Sequence, residues 1–372
     1  MNVGVPTEIK NNESRVALTP AGAHELARRG HAVLVQAGAG RGSGYDDDAY
    51  RLAGARIVDT AEEVWGSADL LVKVKEPIEP EYALMRPDQT LFTYLHLAAS
   101  APCTQALLAA GTTAIAYETV QLDDRSLPLL SPMSEVAGRL SAQVGAYHLL
   151  RPQGGTGVLM GGVPGTPKAK VVVIGGGVAG EHAAANALGM GADVTVLDVS
   201  IPRRRQLEVQ FGGAVHTRAS TTYELAEQVE TADLVIGSVL IPGAAAPKLV
   251  TDSMVKAMKP GAVLVDIAID QGGCFEHSHP TTHDAPTFAV HDTLYYCVAN
   301  MPGAVPVTST QALTNATLPY LSALADKGWR EALRADVALA RGLNTHAGSI
   351  TNRSVAEAFG ADAVPVAEIL AD

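Results

Sequence analysis

The sequence predicts an α/β protein made of two doubly wound, mostly parallel sheets. Three observations carry that prediction. Short β-branched runs alternate with helical patterns from Met1 to about Leu127, and the alternation returns beyond Lys170. One run, Val171 to Ile174, opens straight onto glycines in G-x-G-x-x-G spacing. Two long helical patterns, Ser131 to Arg151 and Thr308 to Ala325, flank the glycine-bearing region.

The stretch from Lys170 to Asp198 reads as strand, glycine turn, helix, strand. A continuous apolar run fits a parallel strand covered on both faces. Gly175 permits the tight turn, Gly177 lets backbone approach a pyrophosphate, and Gly180 lets the helix from Glu181 to Met190 pack close to the strand. That helix directs unpaired N–H groups at the phosphates. A second run, Val194 to Leu197, closes on Asp198, at the spacing where an acid grips ribose hydroxyls. A glycine turn can also simply join a strand to a helix; the whole strand–turn–helix–strand–acid context is what points to a Rossmann-like dinucleotide site. Asp198 would repel a 2′-phosphate and favours NAD over NADP. Arg203, Arg204 and Arg205 pull the other way, but three basic residues opening a helix also serve as a solvated face, so NAD is the expected cofactor.

A length of 372 residues fits two or three domains, and 47% hydrophobic residues supply a sizeable core. The net charge of -12 argues against a nucleic-acid partner, which would call for a basic patch. Cys103, Cys274 and Cys297 are odd in number and lack metal-ligand spacing, so no disulfide framework is expected and a cytoplasmic location is. The first residues have no signal-peptide core, and no stretch reaches the roughly 18 uncharged apolar residues of a membrane span.

In chain order, Asn2 to Val5 is a strand, and Thr19-Pro20 opens a helix with an N-cap and a first-turn proline, ending near Gly30. Val33 to Val35 is the next strand. Thr60 to Glu63 has the form of a capping box, placing a short helix between strands at Arg56 to Val58 and Leu70 to Val74. Leu91 to Leu95, a helix over Cys103 to Ala110 and a strand at Thr113 to Tyr117 follow. Met133, Val136, Ala137, Leu140, Val144 and Tyr147 recur at helical spacing until Arg151-Pro152, and Gly154 to Pro167 reads as a turn or hairpin. Beyond the glycine unit come a helix at Arg203 to Gln210, a strand at Ala214 to Thr217 and a helix at Tyr223 to Val229. Strands at Leu234 to Val239, Val263 to Ile269 and Tyr295 to Ala299 complete about six strands of one sheet. The pattern over Thr308 to Ala325 is a helix interrupted at Pro319. If it crosses back, residues 1–128 and 306–372 make a discontinuous domain, residues 129–305 an inserted one, and a cleft lies between two sheets.

Ligands of open α/β sheets bind beyond the carboxyl ends of strands. There the first domain offers Arg15 after its first strand, Lys73 and Lys75 closing DLLVKVKEP, and His96 closing TLFTYLH. A lysine inside a buried strand is costly, which makes Lys75 the better candidate of the two. A guanidinium and an ammonium at one rim suit a small carboxylate, each charge-assisted bond contributing about 1.5–3 kcal/mol. The competing reading is that Arg15 and Lys75 only pair with Glu8, Glu13 or Glu76, and that His96 is a hydrogen-bonded core residue. In VLVDIAIDQGG, Asp266 reads as a structural acceptor beneath the sheet, while Asp270 at the carboxyl end is placed to move a proton or orient water opposite His96, work that supplies roughly 10²–10⁴-fold of rate. His277, His279, His283 and His291 invite a metal reading, but their irregular spacing with prolines between favours a polar loop.

Taken together, VGVPTEIKNNESRVALTP, VKVKEP, FTYLHLA, SPMSEVAGRLSAQVGAYHL, GGGVAGEHAA, LVDIAIDQGGCFE and TLYYCVANMPGAVPVTST resemble the bacterial alanine dehydrogenase family along nearly the whole chain. The resemblance implies a cytosolic homohexamer that interconverts L-alanine with pyruvate and ammonium using NAD, and a cofactor domain inserted into a discontinuous substrate domain. It implies substrate binding by Arg15 and Lys75, and acid–base catalysis by His96 and Asp270. Ser134, Val178, Ala179, Asp198, Arg203, Ser220, Val239, Leu240, the run Ile267, Ala268, Ile269, Asp270 and the run Val298, Ala299, Asn300, Met301 match the family's cofactor contacts. Two departures stand out. His279 replaces an arginine that touches the cofactor in some members, and Ala323 and Lys327 lack the acid–histidine pair that some use for magnesium, so no metal is expected. The rival from another class is the nucleotide-binding part of a proton-pumping transhydrogenase, which shares R-V-A-x-x-P near the N-terminus; a third reading is an NAD-binding regulator without chemistry.

Overall fold

The computed structural model describes residues 1–239 and 246–371. They form two compact units, one of residues 1–133 with the chain from Val305 onward, the other Ser134–Ala304. The strands are β1 (Asn2–Val5), β2 (Ala32–Gln36), β3 (Arg56–Val58), β4 (Leu70–Val72), β5 (Thr90–Thr93), β6 (Thr113–Ala116), β7 (Lys170–Ile174), β8 (Asp193–Asp198), β9 (His216–Ala219), β10 (Leu234–Gly237), β11 (Val263–Asp266), β12 (Thr287–Val290), β13 (Thr293–Tyr296), β14 (Leu343–His346) and β15 (Ser349–Ile350).

The first unit holds an eight-stranded sheet in the order β15-β14-β6-β5-β4-β1-β2-β3. Its β1 to β6 pair in parallel, and the late segment adds β14 antiparallel to β6. Val3, Val5, Leu71, Leu91 and Phe92 are fully buried along these strands, each large apolar side chain contributing about 1.5–3 kcal/mol. The caps read from the sequence are in place. Thr19 accepts from Gly22 N at 3.2 Å to open helix Pro20–Arg28, and Thr60 accepts from Glu63 N at 3.2 Å. The expected interruption at Pro319 is absent, because helix Pro306–Lys327 runs straight through it. Leu313, Thr314, Thr317 and Leu321 bury the helix on both sides of the proline, and that packing outweighs one missing N–H···O bond.

The second unit's sheet has seven strands in the order β12-β13-β11-β10-β7-β8-β9, one more than expected. The addition is β12, antiparallel to β13 and only half-buried, so its four residues carry too weak a pattern to read. Gly154 to Pro167 forms turns and not a hairpin. Alternate residues of each inner strand serve opposite faces. Val171, Val173, Val194, Val196, Leu234 and Ile236 pack with Ala137, Ala183, Ala184 and Ala187 of helices Ser131–His148 and Val178–Gly189. Val172, Ile174, Leu197, Val235 and Leu264 pack with Leu225, Val229 and Val255 on the other face. The strand order reverses between β7 and β10, the place where such sheets open a crevice at their carboxyl ends.

Candidate active site

At the reversal point of the second sheet sits the glycine turn. Gly175 has φ 95° and donates its N–H to Leu197 O at 2.8 Å. A Cβ at Gly180 would lie 1.8 Å from Gly175 O, so the helix can approach the turn only as glycine. Gly177 caps helix Val178–Gly189 and would meet nothing within 4 Å. With Gly177 and Val178 both exposed and Ala179 partly so, the first turn presents open backbone N–H groups to an anion. These features fit a dinucleotide pyrophosphate.

Asp198, at the end of β8, accepts from Gly176 N and Ser200 N, both at 2.7 Å, and stays partly exposed, with lone pairs left for ribose hydroxyls. Arg203 donates through Nε to Gly176 O at 2.5 Å and pairs with Glu181, so its charge is committed within the turn and not held out to a 2′-phosphate. Burial pushes the Glu181 carboxyl up, but Gln210 and Arg203 outweigh it and hold it below the usual range. Gly138 lies so close to the glycine-turn helix that a Cβ would come 2.2 Å from Ala179 O; Ser134, one turn earlier, shares that helix face.

The remaining expected contacts all follow carboxyl ends of parallel strands. Ser220, after β9, donates its N–H to Asp198 O at 3.2 Å. Val239, after β10, stands beside Gly175, and Ser238 Oγ donates to Gly175 O at 2.8 Å. Ile267, Ala268, Ile269 and Asp270 form a single 3-10 turn after β11, in which Ile269 is buried and Asp270 exposed. After β13, the side chains of Val298 and Met301 are in the core while Ala299 and Asn300 are partly exposed. Leu240 lies outside the described residues. Asp266 is the structural group it reads as. Its buried carboxylate accepts from Ala268 N (3.1 Å), Cys274 N (2.9 Å), Phe275 N (3.3 Å) and Ser278 Oγ (2.5 Å), fixing both ends of the Asp270 loop, and burial pushes its pKa up.

In the first unit, Arg15, Lys75 and His96 follow β1, β4 and β5, which are adjacent and parallel, so they share one rim. Arg15 is buried and makes a two-pronged bond to Glu13, Nε to Oε1 at 2.7 Å and Nη2 to Oε2 at 2.5 Å. Burial opposes its charge, but Glu13 more than restores it and holds the guanidinium above its usual pKa. Lys73 is fully buried between Glu8 Oε2 (3.0 Å) and Glu81 Oε1 (2.8 Å); burial pushes its pKa down, and the two carboxylates outweigh it. Lys75 differs. It is 7% exposed, and its ammonium makes no ion pair within 4.0 Å among the described residues, while the neighbouring Glu76 pairs with Lys10. Glu8 Oε1 accepts Val74 N at 2.5 Å and Thr93 Oγ1 donates to Lys75 O at 3.0 Å, stitching the three strand ends together.

His96 has φ 48° and ψ 39°, a left-handed conformation uncommon among non-glycine residues. Glu118 holds it there by accepting His96 N at 2.6 Å and Leu95 N at 3.1 Å. The imidazole stacks on Tyr94 at 5.9 Å between centroids and 10° between planes, and 36% of the side chain is exposed. Sequence reasoning missed Glu118. The signal that finds it is position, because it follows β6, the neighbour of β5, at the same rim. Among the four late histidines, His279 stacks on Phe288 and His283 lies 3.4 Å from Asn300 O, whereas His277 and His291 both meet Asp252. A cavity of about 300 Å³ lined by Leu18, Gly22, His24 and Leu318 includes none of the expected site residues.

The chain matches the "Alanine dehydrogenase/PNT, N-terminal domain" family over residues 4–137 and the "Alanine dehydrogenase/PNT, C-terminal domain" family over residues 141–353. It is 66% identical over 371 residues, covering 100% of both chains, to a protein of Mycolicibacterium smegmatis named alanine dehydrogenase. A solved L-alanine dehydrogenase superposes with TM-score 0.93 at 52% identity, covering 97% of this chain and 99% of that one. A transhydrogenase from Sinorhizobium meliloti superposes with TM-score 0.80 at 28% identity, covering 95% of this chain and 100% of that one.

Proposed function

The chain belongs to the alanine dehydrogenase/PNT family, and on that premise we propose how its residues divide the reaction between them. The protein is an NAD-dependent amino-acid dehydrogenase that oxidatively deaminates L-alanine to pyruvate and ammonium. The transhydrogenase reading has the weaker support, 28% identity against 66%. No helix among the described residues is long and apolar enough to cross a membrane.

One observation carries the assignment of the substrate anchor: Lys73 is compensated by two carboxylates, while Lys75, two residues on and nearly as buried, is compensated by none within ion-pair distance among the described residues. A desolvated ammonium with no carboxylate at ion-pair distance among the described residues favours an incoming anion. Lys75 and Arg15 bind the alanine carboxylate, and Glu13 fixes the orientation of the Arg15 guanidinium. Asp198 and the Gly175–Gly180 turn would hold NAD, which would supply the acceptor for the hydride leaving the substrate Cα. Water then adds to the resulting iminium carbon, the C–N bond breaks, and ammonia departs with a proton. The His96 imidazole and the Asp270 carboxylate take the proton from the attacking water and return one to the departing amine. Lys75 stabilises negative charge developing on the new carbonyl oxygen. Residues 1–128 and 306–372 would then be the substrate domain and residues 129–305 the cofactor domain. Cytosolic location and a homohexamer complete the reading, supported by three free, buried cysteines and by resemblance respectively; light scattering tests the hexamer.

The deciding experiment mixes purified protein with NAD and L-alanine at alkaline pH and follows NADH absorbance. Wild type turns over, and His96→Ala and Asp270→Asn each lose at least about 100-fold in kcat with NADH binding intact. Near-normal turnover in either variant defeats the role assigned to it.

A further inference from the structure

We propose that Asp252, His277 and His291 form a binding site for one transition-metal dication of the zinc and nickel class. One ligand atom from each lies within 4.8 Å of the others. Nε2 of His277 and Nε2 of His291 converge on the same oxygen, Asp252 Oδ1, at 2.8 and 2.6 Å. The two rings stand edge to face, 86° apart with centroids separated by 6.1 Å, so their ring nitrogens address one point from two directions. A tetrahedral ion with bonds of about 2.0–2.1 Å separates its ligands by roughly 3.3 Å, and each imidazole nitrogen reaches that separation from Asp252 Oδ1 by moving less than an ångström.

The three groups come from separate segments that main-chain bonds already fix. Asp252 opens helix Asp252–Ala257, and its N–H donates to Glu276 Oε2 at 2.5 Å. His277 follows a parallel bridge between Val250 and Phe275, where Glu276 N donates to Val250 O at 2.9 Å. His291 occupies the turn between β12 and β13 with φ 51°, a conformation that non-glycine residues seldom adopt and that concentrates at functional positions. Lys256 takes the other oxygen, Asp252 Oδ2, at 2.6 Å, leaving Oδ1 for a single metal bond. Two imidazoles and one carboxylate suit zinc, nickel or copper and not magnesium or calcium, which need nearly all-oxygen shells. Water would fill the fourth position. The three cysteines are buried and offer no competing thiolate on the surface. Such an ion would clamp His277, and with it Ser278, whose hydroxyl binds Asp266 under the Asp270 turn. The proposal is independent of the catalytic assignments.

The test uses tag-free, EDTA-treated and dialysed protein. Calorimetric titration with Zn²⁺ or Ni²⁺ is expected to show one equivalent per chain, unaffected by millimolar Mg²⁺, with a rise in Tm. The double variant His277→Gln, His291→Asn, whose asparagine tolerates the positive φ, loses at least tenfold in affinity and the Tm rise, while keeping wild-type NADH binding and its Tm in EDTA. Unchanged affinity in that variant, or no stoichiometric binding by wild type, overturns the proposal. Should the variant fold poorly, Co²⁺ added to wild type decides. The intense visible band of tetrahedral cobalt supports the site, and an octahedral spectrum or none removes it.

Discussion

Glu118 Oε1 accepts the backbone N–H of His96 at 2.6 Å and pins that residue in a left-handed conformation at the end of β5. Such a conformation costs about 1–3 kcal/mol and persists only where surroundings enforce it, and a hydrogen bond to a charged acceptor contributes about 1.5–3 kcal/mol. Glu118 is therefore a positioning residue that acts through the imidazole. Glu118→Ala should lower kcat roughly 10- to 100-fold, equivalent to about 1.4–2.8 kcal/mol, with NADH affinity unchanged. Glu118→Gln, which keeps an acceptor oxygen, should recover part of the loss. Equal losses in kcat and in NADH binding would mean that the unit has simply been disrupted.

Two glycines in one turn should respond differently to the same methyl group. A Cβ at Gly180 would lie 1.8 Å from Gly175 O, a backbone atom that cannot swing aside, so Gly180→Ala should lower Tm by several degrees and abolish NADH binding together. At Gly177 nothing lies within 4 Å, so Gly177→Ala should keep the Tm and weaken NADH binding alone. Thermal unfolding with and without NADH separates the two, and an unchanged NADH affinity in Gly177→Ala would remove that position from the phosphate ledge.

The contrast also marks what the sequence made legible. Gly175, Gly177, Gly180 and Asp198 are readable because one continuous strand–turn–helix–strand segment carries the whole signal, and their spacing within that unit is what brings Asp198 to the glycine turn. Both sheets are readable for the same reason, since β-branched runs alternate with helices. The strand β12 and the unbroken helix at Pro319 are not, because tertiary burial decides them and local pattern does not. Glu118 and Asp252 escape for a third reason. Each meets its partners only after distant segments pair, 22 residues from His96 in one case and 39 from His291 in the other. Glu13, the competing partner expected for Arg15, does make that pair, so the ion-pairing half of the competing reading holds.

Lys73 and Lys75 should fail in different ways. Removing the Lys73 ammonium strands the Glu8 and Glu81 carboxylates in a buried site, a change that costs about 3–5 kcal/mol when one member of a buried ion pair is lost. Lys73→Met should therefore show a large drop in Tm. Lys75→Met leaves Glu76 still paired with Lys10 and should cost far less Tm than Lys73→Met, while kcat/KM for L-alanine falls at least about 10-fold, the worth of one charge-assisted bond. Urea unfolding alongside steady-state kinetics checks both, and a Lys75→Met enzyme with normal kcat/KM would take this lysine out of the substrate site.

Acid should reveal the Glu76 pair. Burial pushes the Glu76 carboxyl up, but Lys75 and Lys10 outweigh it, so its folded pKa lies below the ordinary value of 4.5. The native state thus binds fewer protons than the unfolded chain in the window just below 4.5, and the stability this carboxylate contributes is complete above that value. It is lost as pH falls from 4.5 through the lower folded pKa. Glu76→Gln should accordingly be less stable than wild type near pH 7, with the difference shrinking as the pH drops through that window. Unfolding free energies from urea titrations at a series of pH values measure the difference directly, and a gap that stays constant or widens on acidification would show that the carboxylate is not the stabilising form.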